Sequence, residues 1–163
     1  MQGQSPLQSG NVTPGHLASW TTDGIIQDAG VALLNFNGTF ISAVQNINFN
    51  STNTDNAIPI NLPAGFTRYR IESILLSGAS ASLSTATCGV FTATGAGGTA
   101  VVTSATAITV TQTAGDTVNN MQSFTINNQN TVAWIDTVLY FRVQTPQGSS
   151  ATGTVSIRYT PLP

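Results

Sequence analysis

Few side chains in this sequence could move a proton, hold a metal or attack a carbonyl: one histidine, one cysteine, six carboxylates and four arginines in 163 residues. A Ser-His-Asp arrangement would have to use His16 with Asp23 or Asp28, and no G-x-S-x-G or other nucleophile context accompanies them. His16 follows Pro14-Gly15, where a polar ring capping a turn explains it. A two-carboxylate hydrolase needs one acid of raised pKa at a fixed distance from another. Here the acids are dispersed, and Asp23, Asp28, Asp55 and Asp116 sit in turn-like sequence, where Asp bonds its own backbone. Asp136 lies just before a strand-like run, with an arginine as its expected partner. Calcium could draw oxygens from the 127–130 Asn/Gln run, or from Asp116 with Asn119 and Asn120, but no EF-hand spacing is present and carboxylates are few. Cys88 excludes an internal disulfide or a cysteine-rich zinc site, and it lies in a strand-like run without a nearby cation. It is expected to be a small buried hydrophobe. The expectation is a protein that is not an enzyme, with no cofactor and no metal.

The composition points the same way. Charged residues make up 6% of the chain and lysine is absent, against about a quarter charged in ordinary soluble domains. Four arginines cannot build a phosphate-binding stripe, so no nucleic-acid partner is expected. No apolar run approaches the length of a spanning helix, so no membrane partner is expected either. The first residues lack the basic and apolar regions of a signal peptide, which predicts synthesis in the cytoplasm. Sequons at Asn11, Asn37 and Asn50 read as chance products of an Asn/Thr-rich chain.

The elements that must position these residues read as strands. Residues 1–15 are polar, uncharged and broken by glycine and proline, and they predict an extended arm. Residues 16–45 predict small hairpins forming an attachment segment, with Asp23-Gly24 as one turn and 35–38 as another. Residues 46–163 predict the main domain. Its strands are expected at 56–62, 68–77, 87–92, 100–104, 107–111, 122–126, 132–136, 138–145 and 154–160. Short strands at this spacing without a helical period argue for an all-β, antiparallel jelly-roll-like sandwich. Trp20 and Trp134 fall in strand-like context, where packing is the expected role.

Alternation along the strands assigns faces. Leu139, Phe141 and Val143 oppose Tyr140, Arg142 and Gln144; Val155, Ile157 and Tyr159 oppose Ser156, Arg158 and Thr160. The last two strands are expected to pair as a hairpin, which places Arg142 and Arg158 on one outer surface. Arg68, Arg70 and Glu72 line a third strand face, with an ion pair expected for Glu72.

The stretch from Ser9 to Gly30, with Val12-Thr13-Pro14-Gly15-His16-Leu17, Trp20, Asp23-Gly24 and Gln27-Asp28-Ala29-Gly30, resembles the opening of many tailed-bacteriophage and prophage structural proteins. The rest, including Leu139-Tyr140-Phe141-Arg142-Val143, is similar more loosely to small jelly-roll virion proteins. Capsid cement (decoration) proteins of short-tailed phages are similar in size and architecture. The resemblance implies a structural protein on the outer capsid surface that stabilises the shell by bridging major capsid subunits. Its partners would be the major capsid protein and itself, as a homodimer or homotrimer. Leu7, Val12, Pro14, His16 and Trp20 are the expected capsid contacts; Arg68, Arg70, Glu72, Arg142 and Arg158 are the expected inter-subunit contacts. Because residues 1–15 carry no charged side chain, attachment is expected to depend only weakly on salt. The alternative is a tail or head fibre component that binds a host surface glycan.

Overall fold

The computed structural model describes residues 38–111, 121–127 and 133–162, together with the backbone of three strands before them. Those three are β1 (Leu7–Gln8), β2 (His16–Trp20) and β3 (Ile25–Ala32). They form their own small sheet in the order β1-β3-β2. β2 and β3 are antiparallel, as the Asp-Gly signal between them predicts, and β1 pairs with β3 in parallel. The turns at 21–24 and 35–38 lie wholly or largely outside the described residues.

Eight strands then build two antiparallel sheets packed face to face. They are β4 (Phe40–Asn48), β5 (Thr54–Pro59), β6 (Arg68–Ser77), β7 (Thr87–Ala93), β8 (Gly97–Ala107), β9 (Gln122–Ser123), β10 (Val138–Thr145) and β11 (Thr152–Leu162). One sheet runs β4-β11-β6-β9 and the other β5-β10-β7-β8. Counted in chain order within the sandwich, these are strands 1-8-3-6 and 2-7-4-5, the order produced by two nested Greek keys. The fold is therefore an all-β sandwich with jelly-roll strand order. β4 crosses the expected 45/46 boundary: Phe40 to Val44 pair with Tyr159 to Val155, so residues 40–45 belong to the sandwich sheet.

The two inner faces fill the core. Ile58, Cys88, Val90, Leu139, Phe141 and Val143 come from one sheet, and Ile47, Tyr69, Ile71, Ile74, Leu76, Val155, Ile157 and Tyr159 from the other. Phe141 meets Phe49 edge-on at 5.9 Å, and Tyr69 meets Tyr159 in the same manner at 5.5 Å. Burial pushes the Cys88 thiol up to about 12, so it is an inert core side chain as expected. Trp134 is also buried, bridged through its backbone to Tyr69. One large side chain is buried on an outer face: Phe91 lies across Gly89, where a Cβ would sit 2.7 Å from its ring. Only glycine leaves that seat open.

The last two strands correct the hairpin expectation. β10 pairs with β5 and β7, while β11 pairs with β4 and β6, so they face each other across the core. Both alternate because both have one buried face, and alternation alone cannot tell neighbours in a sheet from partners across a sandwich. The connecting link crosses between sheets beside the β4–β5 link, with the Gln147 amide donating to the Phe49 carbonyl and the Phe49 amide to that of Ala151, both at 2.9 Å.

Candidate interaction surface

The crossing of β11 decides which charged side chains meet. Arg158 lies on the outer face of the β4-β11-β6-β9 sheet, and β6 supplies Arg68, Arg70 and Glu72 to the same face. The register aligns Arg70 with Thr160 and Arg158 with Ser73, with a bulge between Arg158 and Tyr159. Glu72 is the extra residue of that bulge. It resets the alternation of β6, which is why Ile71 and Ile74, three apart, both point inward. The Arg70 Nε donates to Glu72 Oε1 at 2.9 Å, and its Nη2 lies 2.9 Å from the same oxygen. Burial alone would raise the Glu72 carboxyl. Hydrogen bonds from Arg70 and Thr160, and the charges of Arg70 and Arg158, outweigh that and hold it below the usual carboxylate range. The expected ion pair is present, and three arginines around one glutamate give this face a formal excess of two positive charges.

Beside the cluster the face turns apolar. Ile41 on β4 is 63% exposed. A depression of ≈ 250 Å³ is lined by Ile41, Ser73, Leu75, Ser156 and Arg158. A second, wider depression of ≈ 570 Å³ lies at one end of the sandwich, lined by Ile60, Asn61, Leu62, Phe66, Thr67 and Thr137. Two tyrosine hydroxyls reach out of the core to its surroundings, Tyr159 donating to the Asn61 carbonyl at 2.9 Å and Tyr69 to the Asp136 carbonyl at 2.8 Å.

Arg142 does not join this surface, contrary to the sequence reading. It lies on the outer face of the opposite sheet, directly across from Asp55. Its Nη1 donates to Asp55 Oδ1 at 2.7 Å, and the two side chains are 13% and 18% exposed. Asp55 Oδ2 accepts the Gly95 amide at 2.8 Å. One carboxylate thus ties β5, β10 and the 3-10 turn between β7 and β8. Burial pushes Asp55 up, but the Gly95 amide and the Arg142 guanidinium hold it below its ordinary value. Sequence reasoning read Asp55 as a turn residue and missed the pair. The signal was present: extending the Ile58/Ile60 alternation back by one turn of the pleat places Asp55 outward with Ala57 and Pro59.

Of the residues expected to touch a capsid, Leu7 lies in β1 opposite Ile25, His16 opens β2 opposite Ala32, and Trp20 closes β2 opposite Ile26. Val12 and Pro14 lie outside the described residues, as do Asp116, Asn119, Asn120 and 128–130 of the calcium reading. Among the described residues, no three His, Cys, Asp or Glu side chains group to hold a metal ion. The indole N–H of Trp134 is buried without a hydrogen-bond acceptor among the described residues. No family model matches the chain, and no curated protein or solved structure matches it either.

Proposed function

We propose that this is a structural virion protein that binds the outside of a phage capsid and stabilises it by bridging major capsid subunits. The observation that carries the reading is the outer face of the β4-β11-β6-β9 sheet. In a chain with so few charges, three of four arginines, one glutamate and the exposed Ile41 gather on one side of one sheet. A face that mixes a polar, charge-bearing cluster with apolar area is suited to contact with another protein surface. The opening resemblance to tailed-phage structural proteins supplies the setting.

In this reading the labour is divided. Residues 1–15 and the strands β1 to β3 attach to the shell through main-chain hydrogen bonds and local packing, using Leu7, Val12, Pro14, His16 and Trp20. Arg68, Arg70, Glu72 and Arg158 meet a neighbouring subunit, and Arg142 acts within its own sandwich. Co-sedimentation with capsids tests the attachment. The full chain is expected to decorate shells with little change from low to molar salt, because the arm carries no charged side chain. Removing residues 1–15 is expected to weaken decoration at least tenfold, on the order of the 1.4 kcal/mol that a few lost hydrogen bonds represent. Full decoration by the truncated chain, or release by salt, would contradict the arm mechanism. Saturable glycan binding by the isolated protein would favour the fibre reading instead.

A further inference from the structure

Among the described strands the sandwich has four edges, and three of them carry features that block further pairing. β5 bears Asp55 and Pro59. β9 is two residues long. β8 has positive φ at Gly98 and Ala105 and three register shifts against β7. β4 differs. It is nine residues long with no charge, proline or glycine, and β11 is the only described strand that pairs with it. Its single bulge, at Gln45–Asn46, leaves Phe40-Ile41-Ser42-Ala43-Val44 as a regular run with no second strand beside it among the described residues.

We propose that this edge is a self-association site, at which β4 pairs antiparallel with β4 of a second copy about a two-fold axis at Ser42. The occupant follows from the symmetry of the run. An axis at Ser42 places Phe40 opposite Val44 of the second copy on the inner face, and Ile41 opposite Ala43 of the second copy on the outer face, each pair occurring twice. Phe40 and Val44 are half-buried apolar side chains packed at the margin of the core, and Ile41 and Ala43 are exposed. Every opposed pair is therefore apolar or, at the axis, hydroxyl against hydroxyl. The bulge at 45–46 ends the ladder where the run ends.

Charge does not oppose the contact. The cross-strand neighbour of Ile41 on β11 is Arg158. The two copies of Arg158 would be separated by three strand spacings, about 14 Å. That exceeds the screening length of roughly 8 Å at physiological salt. The product is one continuous eight-stranded sheet with both arginine clusters on the same side. The two residue-38 ends would leave it some 27 Å apart in opposite directions, at about 3.3 Å per residue. This inference goes beyond capsid attachment and does not require it, since the dimer forms in the isolated protein. A chain that dimerises but ignores shells would contradict only the attachment reading.

Sedimentation of the full chain at about 10 µM and above tests it, because a single-strand interface is at the small end of specific contacts and micromolar affinity is expected. The wild type is expected to be dimeric. The double variants Ile41→Lys/Ala43→Lys and Ile41→Glu/Ala43→Glu oppose like charges across the axis at exposed positions and are each expected to be monomeric. Mixed in equal amounts they are expected to form a heterodimer, because position 41 of one copy then meets an opposite charge at position 43 of the other. A monomeric or trimeric wild type, a lysine variant as dimeric as the wild type, or a mixture that stays monomeric would overturn the proposal. Should a variant fail to fold, hydrogen exchange on the wild type decides. Amides in 40–44 must gain protection as concentration rises, and a dimer without that gain would refute pairing through β4.

Discussion

Phe141→Ala is expected to lower the stability of the sandwich by about 4 kcal/mol, within the 3–5 kcal/mol typical of emptying a buried aromatic site. Phe141 is fully buried at the middle of β10, the strand between β5 and β7. Its ring lies 5.9 Å from Phe49, which leads into the crossing from β4 to β5, and 6.3 Å from Phe124, just after β9. The side chain therefore joins both sheets rather than filling one. Truncation would leave a cavity lined by two aromatic rings that follow the ends of separate strands, which cannot collapse together without shifting a ladder. Such a loss is a large fraction of the 5–15 kcal/mol that holds a domain of this kind folded. Urea denaturation at neutral pH, with the midpoint read at constant slope, measures it. A loss below about 1 kcal/mol would mean that the core between the sheets is looser than described.

One residue further along β10, on the other face, Arg142→Ala is expected to cost about 2 kcal/mol at neutral pH, between the value of an exposed ion pair and that of breaking a fully buried one from one side. The guanidinium and the Asp55 carboxylate are both mostly shielded from water, so removing Arg142 leaves the carboxylate only the Gly95 amide. The cost must depend on pH. The folded pKa of Asp55 is depressed, so its pairing stabilises the fold above the unfolded pKa near 3.8 and is lost as pH falls through the folded value. The gap between wild type and Arg142→Ala is therefore expected to be full at pH 7 and to shrink below about pH 4. Denaturation midpoints of both proteins across that range provide the check. A gap that stays constant to low pH would assign the loss to packing of the arginine stem instead.

Alternation made the buried faces legible, and it did so even where no ladder forms. The strands 68–77 and 138–145 have the bounds that the alternating side chains assign them. At 107–111 and 122–126 the same pattern identifies Ile108, Val110, Phe124 and Ile126 as buried, yet the ladders end at Ala107 and Ser123. Beyond those points single backbone bonds replace pairing, as where the Ile108 amide donates to the Ala86 carbonyl and the Phe124 amide to that of Ile74. Period two reports which side chains are covered, whereas a strand also needs a backbone partner alongside. Of the run 132–136, the described residues 133–136 pair only through a bridge at Trp134.

Sheet membership was the part that could not be read locally. Arg142 and Arg158 separate because consecutive strands of the jelly roll cross the core, a choice made by the whole topology rather than by either strand. Glu72 and Asp55 show the same limit for pairs. The first finds Arg70 two residues away and was foreseeable, while the second finds Arg142 eighty-seven residues away and required the register of β5 on β10.

The central claim is that this sandwich sits on the outside of a capsid and bridges its subunits. Imaging particles assembled with and without the protein tests it most directly. Added density is expected on the outer shell surface that accommodates the two-sheet sandwich and spans neighbouring capsid subunits, joined to the shell through the N-terminal segment. Shells unchanged by the protein, or density confined to the tail, would contradict it.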